Sequence, residues 1–160
     1  MKAYAIAGRP GAGKTFLTKH LVALIGVPPF VYDTNREWGA KHLPEMEAFL
    51  DQCLKRTNSV LVFEDATVFF STTGSDRKLK RLLVAKRHSR NTIFLLFHGL
   101  RQIPLYVLDL VNGVIVLRTN DAQANVESRF SNWPAIIEAW KNVNDTPMEE
   151  EAHPSQYVEL

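Results

Sequence analysis

A chain of 160 residues, 46% of them hydrophobic, is the size of one domain and can bury a core without staples. Its single cysteine, Cys53, excludes an internal disulfide, and no apolar run is long enough for a signal-peptide core or the roughly 20 residues of a membrane span, so a cytoplasmic protein is expected. The formal charge of +2 hides an asymmetry: residues 145–160 hold five acids and no Lys or Arg, so in residues 1–144 all 19 basic residues face 12 of the 17 acids, a balance of +7 that suits a polyanionic partner.

The first predicted strand, Ala3 to Ala7, runs directly into Gly8-Arg9-Pro10-Gly11-Ala12-Gly13-Lys14-Thr15, which matches G-x-x-x-x-G-K-[ST] at every fixed position. A helix-like run, with Leu17, Leu21 and Leu24 at helical spacing, follows to Ile25 and is stopped by Gly26, Pro28 and Pro29. Strand, glycine-rich loop and helix N-terminus in this order make a phosphate cradle. Its backbone N–H groups point inward, Lys14 reaches the β- and γ-phosphates of a bound nucleotide, and the Thr15 hydroxyl ligates Mg²⁺.

A second strand, Phe30 to Tyr32, ends in the polar run Asp33-Thr34-Asn35-Arg36-Glu37-Trp38. In an open parallel sheet the carboxyl ends of the strands face the ligand crevice, which places Asp33, together with Glu37, near the nucleotide or its attacking water. The competing reading of Asp33 is a loop cap. Residues 45–55 form an amphipathic helix with Met46, Phe49, Leu50, Cys53 and Leu54 on one face, where Cys53 is core packing rather than a reactive group. Ser59 to Asp65 is a buried strand ending abruptly in Glu64 and Asp65. One acid at such a place holds Mg²⁺ and the other activates water, and Glu64 and Asp65 are read in that order.

Residues 71–75, STTGS, read as a mobile loop that faces a nucleic-acid strand. The basic helix that follows, within residues 72–91, offers Arg87 and Arg90 as arginine fingers acting on a neighbouring copy, against the simpler reading of a solvated face. Thr92 to Phe97 is a fourth strand ending in His98, placed to sense a γ-phosphate. Pro104 opens a short helix over residues 105–111, and Val114 to Leu117 is a fifth strand. Helical patterns at residues 121–130 and around Trp133, Ile136, Ile137 and Trp140 close the core, leaving residues 145–160 as an acidic, flexible tail or an arm that orders on a neighbour. No guanine-specifying N-K-x-D and no Cys/His group with zinc spacing is present.

This succession resembles the FtsK/HerA superfamily of nucleic-acid-pumping P-loop ATPases, and within it the viral genome-packaging ATPases. The resemblance spans about residues 1–120. Its particular carriers are Asp33 to Trp38, similar to the D-x-x-x-E-[YW] run of that group, and KRHSRNTIFLLFHGLRQIP at residues 86–104. The likeness implies a RecA/ASCE-like three-layer α/β sandwich with a mostly parallel five-stranded sheet. It also implies an ATP hydrolase that moves double-stranded DNA as a ring of five or six subunits, with a capsid or membrane protein as a further partner. Residues 8–15 then bind phosphates, Glu64 and Asp65 take the Mg²⁺ and catalytic places, and His98 stands where the family usually has Gln. Two other readings stay open: a nucleotide-dependent phage assembly or secretion factor, and a small P-loop kinase in which Asp33 binds the acceptor.

Overall fold

The computed structural model describes residues 1–39, 45–70, 76–147 and 154–160. The STTGS loop read above as facing nucleic acid therefore lies outside the described residues. Six strands form one sheet: β1 (Ala3–Ala7), β2 (Pro29–Tyr32), β3 (Val60–Phe63), β4 (Thr92–Phe97), β5 (Gly113–Leu117) and β6 (Ser155–Glu159). Their order is β2-β3-β4-β1-β5-β6, with the first five parallel and β6 antiparallel to β5. The parallel strands are short apolar runs because both faces are covered. VLVF of β3 is buried at all four positions, and in TIFLLF of β4 only Thr92 is less than buried.

The helices divide unequally between the two faces. One face carries α1 (Lys14–Ile25), whose Val22 joins Ile6, Val31, Val62, Phe94 and Leu96 in a core, with Leu17 and Leu21 packed against it. The other face carries the larger core under α2 (Met46–Lys55), α4 (Arg77–Ser89), α5 (Leu105–Leu108), α6 (Gln123–Arg129) and α7 (Pro134–Asp145). Phe49 of α2 anchors that layer, stacked on Phe30 at 4.6 Å and edge-on to Phe63 at 5.2 Å. Cys53 is buried beside it, and burial pushes its thiol up to about 12, as packing rather than reactivity requires. A further turn of helix, α3 (Ala66–Phe69), follows β3 directly.

A sixth strand joins the expected mostly parallel sheet of five, and it takes its residues from the segment read as a flexible tail or an arm. SQYVE buries only Val158, which is why its composition reads as tail. An edge strand needs no more, because the ladder to β5 satisfies its backbone and Tyr157 meets Tyr4 edge-on at 6.1 Å. The close approach depends on Gly113: a Cβ there would meet the Tyr157 ring and stand 2.7 Å from the Val158 carbonyl oxygen. Gly113→Ala should therefore push β6 off its register and cost about 1–3 kcal/mol. A melting curve unchanged by the substitution would show that β6 is not seated as described.

The topology fixes where a ligand can bind. After β1 the chain crosses to the far edge, where β2, β3 and β4 build back toward it in turn, and it then passes over β1 to form β5, so β1 lies at the switch point. The crevice at the carboxyl ends of β1, β3 and β4 is the natural binding place.

Candidate nucleotide site

Three strand ends deliver the site. At the end of β1 the loop is pinned between the neighbouring strands, with Gly8 N–H donating to the Phe97 carbonyl at 3.1 Å and Arg9 N–H to the Arg118 carbonyl at 2.8 Å. Gly11 (φ 77°) and Gly13 (φ 85°) hold the left-handed backbone that turns the loop into α1, a conformation that costs other residues strain. Gly8 is needed for a different reason: a Cβ there would lie 3.0 Å from Cβ of Leu117.

A cleft of about 350 Å³ opens above the loop, lined by Pro10, Gly11, Gly13, Lys14, Thr15, Phe16, Asn35, Glu37, Glu64, Asp65 and His98. The candidates Lys14, Thr15, Glu64, Asp65 and His98, far apart in the chain, thus share one cavity. Lys14 is 8% exposed and folds back on its own loop, its Nζ donating to the carbonyls of Gly8 at 2.7 Å and Arg9 at 3.2 Å. Burial lowers its pKa, while the charges of Glu64, Asp65 and Glu37 oppose that shift. Glu64 is 4% exposed, and burial raises its pKa; hydrogen bonds from Trp38 and Thr15 work the other way, and the charges of Glu37 and Asp65 add to the rise. Trp38 Nε1 donates to Glu64 Oε1 at 2.6 Å.

Asp65 adopts a left-handed backbone (φ 52°, ψ 39°), unusual outside glycine, at the entry to α3. Its carboxylate over-determines that conformation. Oδ2 accepts from Thr34 Oγ1 at 3.0 Å and Asn35 Nδ2 at 2.9 Å, and Oδ1 faces His98 Nε2 at 2.9 Å. His98 is held in turn through its backbone N–H, which donates to Thr67 Oγ1 at 3.0 Å. The short helix α3, unforeseen in the sequence, is what brings Thr67 under His98.

The remaining candidates fall elsewhere. Asp33 is fully buried beneath the cleft, its oxygens taken by the backbone N–H groups of Asn35 at 3.2 Å and Trp38 at 2.7 Å. It shapes the loop, and Asn35 and Glu37 line the cleft in its stead. Ala12 packs into the core on the α1 face, and Arg9 lines a smaller cavity of about 190 Å³ that shares Pro10 and His98 with the cleft. Arg87 and Arg90 are exposed on the last turn of α4 and its cap, just before β4 begins. That is the amino end of the parallel strands, opposite the phosphate loop, and neither lines the cleft of its own chain. Sequence reasoning passed over Asn35, Trp38 and Thr67, although the first two stand in the polar run it had marked.

A divalent cation fits the donor set. Thr15 and Glu64 offer a hydroxyl and a carboxylate already hydrogen-bonded to each other, the oxygen ligands a hard ion takes. Among the described residues no group of three or more His, Cys, Asp or Glu is placed to hold a metal ion. A larger cavity of about 600 Å³ lies on the α1 face, but it is lined mainly by Tyr4, Leu17, Leu21, Leu24, Phe94 and Tyr157, with Lys2 as its one charged residue and no acid.

The sheet order, the loop between β1 and α1 and the acids after β3 define a P-loop NTPase fold. Comparison with solved structures gives the same answer. The chain is similar to the genome-packaging NTPase B204 of Sulfolobus turreted icosahedral virus 2 bound to ATPγS, with TM-score 0.74 and 15% identity over 98% of this chain and 95% of that one. B204 described as the DNA-packaging ATPase of Sulfolobus turreted icosahedral virus aligns at TM-score 0.73 and 15% identity, over 98% and 96% of the two chains. The N-terminal domain of zonular occludens toxin from Neisseria meningitidis aligns at TM-score 0.56 and 18% identity, over 74% and 78%. No protein-family model and no curated protein sequence matches the chain. Among the described residues no helix is long and apolar enough to cross a membrane.

Proposed function

We propose that the protein is a Mg²⁺-dependent ATPase that drives DNA translocation or viral genome packaging as an oligomeric ring of five or six subunits. The observation that carries this reading is the convergence of Lys14, Thr15, Glu64 and Asp65 on one cleft at the switch point of the sheet. The fold shared with packaging NTPases and the +7 balance of residues 1–144 support a DNA partner.

In this mechanism the backbone N–H groups from Gly11 to Thr15 hold the phosphates, and Lys14 exchanges its two loop carbonyls for β- and γ-oxygens. Thr15 and Glu64 hold Mg²⁺, which when bound neutralises charge on the phosphate oxygens. Asp65 orients the attacking water and accepts its proton, kept in place by Thr34, Asn35 and His98. In this reading His98, which lines the cleft, exchanges its contact with Asp65 for a terminal phosphate oxygen once the nucleotide is bound. Arg87 or Arg90 of an adjacent copy completes the charge neutralisation, a role compatible with their place far from their own cleft.

One observation favours a second reading. Both oxygens of Asp65 are already engaged, as in a protein that binds ATP tightly and turns it over slowly, such as a nucleotide-dependent assembly or secretion factor working with a capsid or membrane protein. ATP turnover measured against increasing duplex DNA, with native mass in the presence of nucleotide, separates the two. Hydrolysis that rises with DNA in a ring-sized species is expected. Tight binding without turnover at any DNA concentration would select the assembly factor.

A further inference from the structure

The cleft has one apolar side chain whose exposure nothing yet explains. Phe16 is 74% exposed, although it follows Thr15 directly and lines the cleft that holds Lys14, Glu64 and Asp65. Its neighbours on α1 behave differently: Leu17 and Leu21 pack against the sheet and Val22 is buried with the core. Single exposed apolar residues are ordinary, and Leu24 is as exposed as Phe16. Among the exposed large hydrophobic residues described, however, Phe16 alone lines the cleft.

The charged side chains of the cleft also gather at Lys14. Lys14 feels the charges of Glu64, Asp65 and Glu37, so the ionic groups gather where the terminal phosphates belong. A nucleotide held there must send its nucleoside toward the uncharged part of the lining, which is Pro10, Gly11, Gly13, Thr15, Asn35 and Phe16. Of these only Phe16 has an aromatic face, and a nucleobase gains from stacking on such a face whatever its hydrogen-bonding edge.

We propose that Phe16 is the nucleobase platform of the site, its ring stacking on the base of the nucleotide whose triphosphate the loop grips. The inference rests on the nucleotide reading above and adds the part of the ligand that the motif does not specify. Phe16 would then contribute to affinity for a nucleoside triphosphate and not to affinity for the phosphate chain alone.

Titration calorimetry with Mg-ATP and with Mg-tripolyphosphate, on the wild type, Phe16→Ala, Phe16→Tyr and Lys14→Ala, tests this. Phe16→Ala should bind ATP roughly tenfold or more weakly and tripolyphosphate as the wild type does, while Phe16→Tyr restores ATP binding. Unchanged ATP affinity in Phe16→Ala, or an equal loss for both ligands, overturns the inference, the second outcome marking a structural role. A change confined to native mass would likewise overturn it, assigning Phe16 to a contact between copies. If Lys14→Ala leaves both ligands bound as before, the nucleotide reading itself fails and the inference falls with it.

Discussion

Lys14→Ala should lower ATP turnover by about 10²–10³-fold, the loss typical of removing one preorganised donor from a site of developing charge. In the structure the ammonium is held inside the loop by two carbonyls rather than by a carboxylate, at 2.7 and 3.2 Å, so phosphate oxygens need displace only neutral partners to reach it. Burial has already stripped water from it, which strengthens every charge-assisted hydrogen bond it then makes. ATP affinity should fall together with turnover, because the same donor holds the ground-state phosphates. A thermal melt run beside the assay keeps loss of fold from being mistaken for loss of function. Wild-type turnover in a folded Lys14→Ala protein would remove the loop from the mechanism.

Glu64→Gln should do two opposite things at once. Hydrolysis should fall by two or more orders of magnitude, because the amide is a poor ligand for Mg²⁺ and carries no charge. The free protein should become more stable. Burial raises the pKa of Glu64 above the ordinary value of 4.5, so the ionised form is disfavoured in the fold. A group with a raised folded pKa contributes stability that is fully present below its unfolded pKa and is lost as pH rises through its folded pKa. At neutral pH the wild type therefore carries a penalty that glutamine lacks, while the glutamine oxygen can still accept from Trp38. The melting temperature of Glu64→Gln should exceed that of the wild type at pH 7, by about 2–4 °C for each kcal/mol regained. The difference should shrink as pH falls toward 4. A gap that is constant across that range would assign the effect to packing instead of charge.

Much of the fold could be read from strand ends. A run of apolar residues that stops at a polar one is a parallel strand reaching the crevice, and Phe63-Glu64 and Phe97-His98 both have this form. Such junctions were legible because burial on two faces forces an unbroken apolar run, so its end is abrupt. After β2 the same logic picks out Asp33 with Glu37, and of the two only Glu37 lines the cleft. There the first polar residue is consumed in turning the loop, and the residues that reach the cleft come two and four places later, at Asn35 and Glu37. A single sequence does not distinguish an aspartate that caps its own loop from one that faces a ligand, because both need a short acid at the same position. Trp38 escaped for a related reason: its indole N–H finds Glu64 through tertiary packing across 26 positions. The strand β6 was illegible because edge pairing is carried by the backbone, which leaves almost no mark on side-chain composition.

Asn112 gives the architecture a directional consequence. Its side-chain oxygen accepts from Ala3 N–H at 2.9 Å, its own N–H donates to the Ala3 carbonyl at 2.7 Å, and its carbonyl accepts from Leu160 N–H at 3.1 Å. One residue in the turn before β5 therefore clasps both extremities of the chain on the side of the sheet away from the phosphate loop. A fusion or affinity handle attached beside Ala3 or Leu160 would point away from the cleft and leave its mouth clear. A short peptide joining the two extremities would yield a circular permutant with the nucleotide cleft intact.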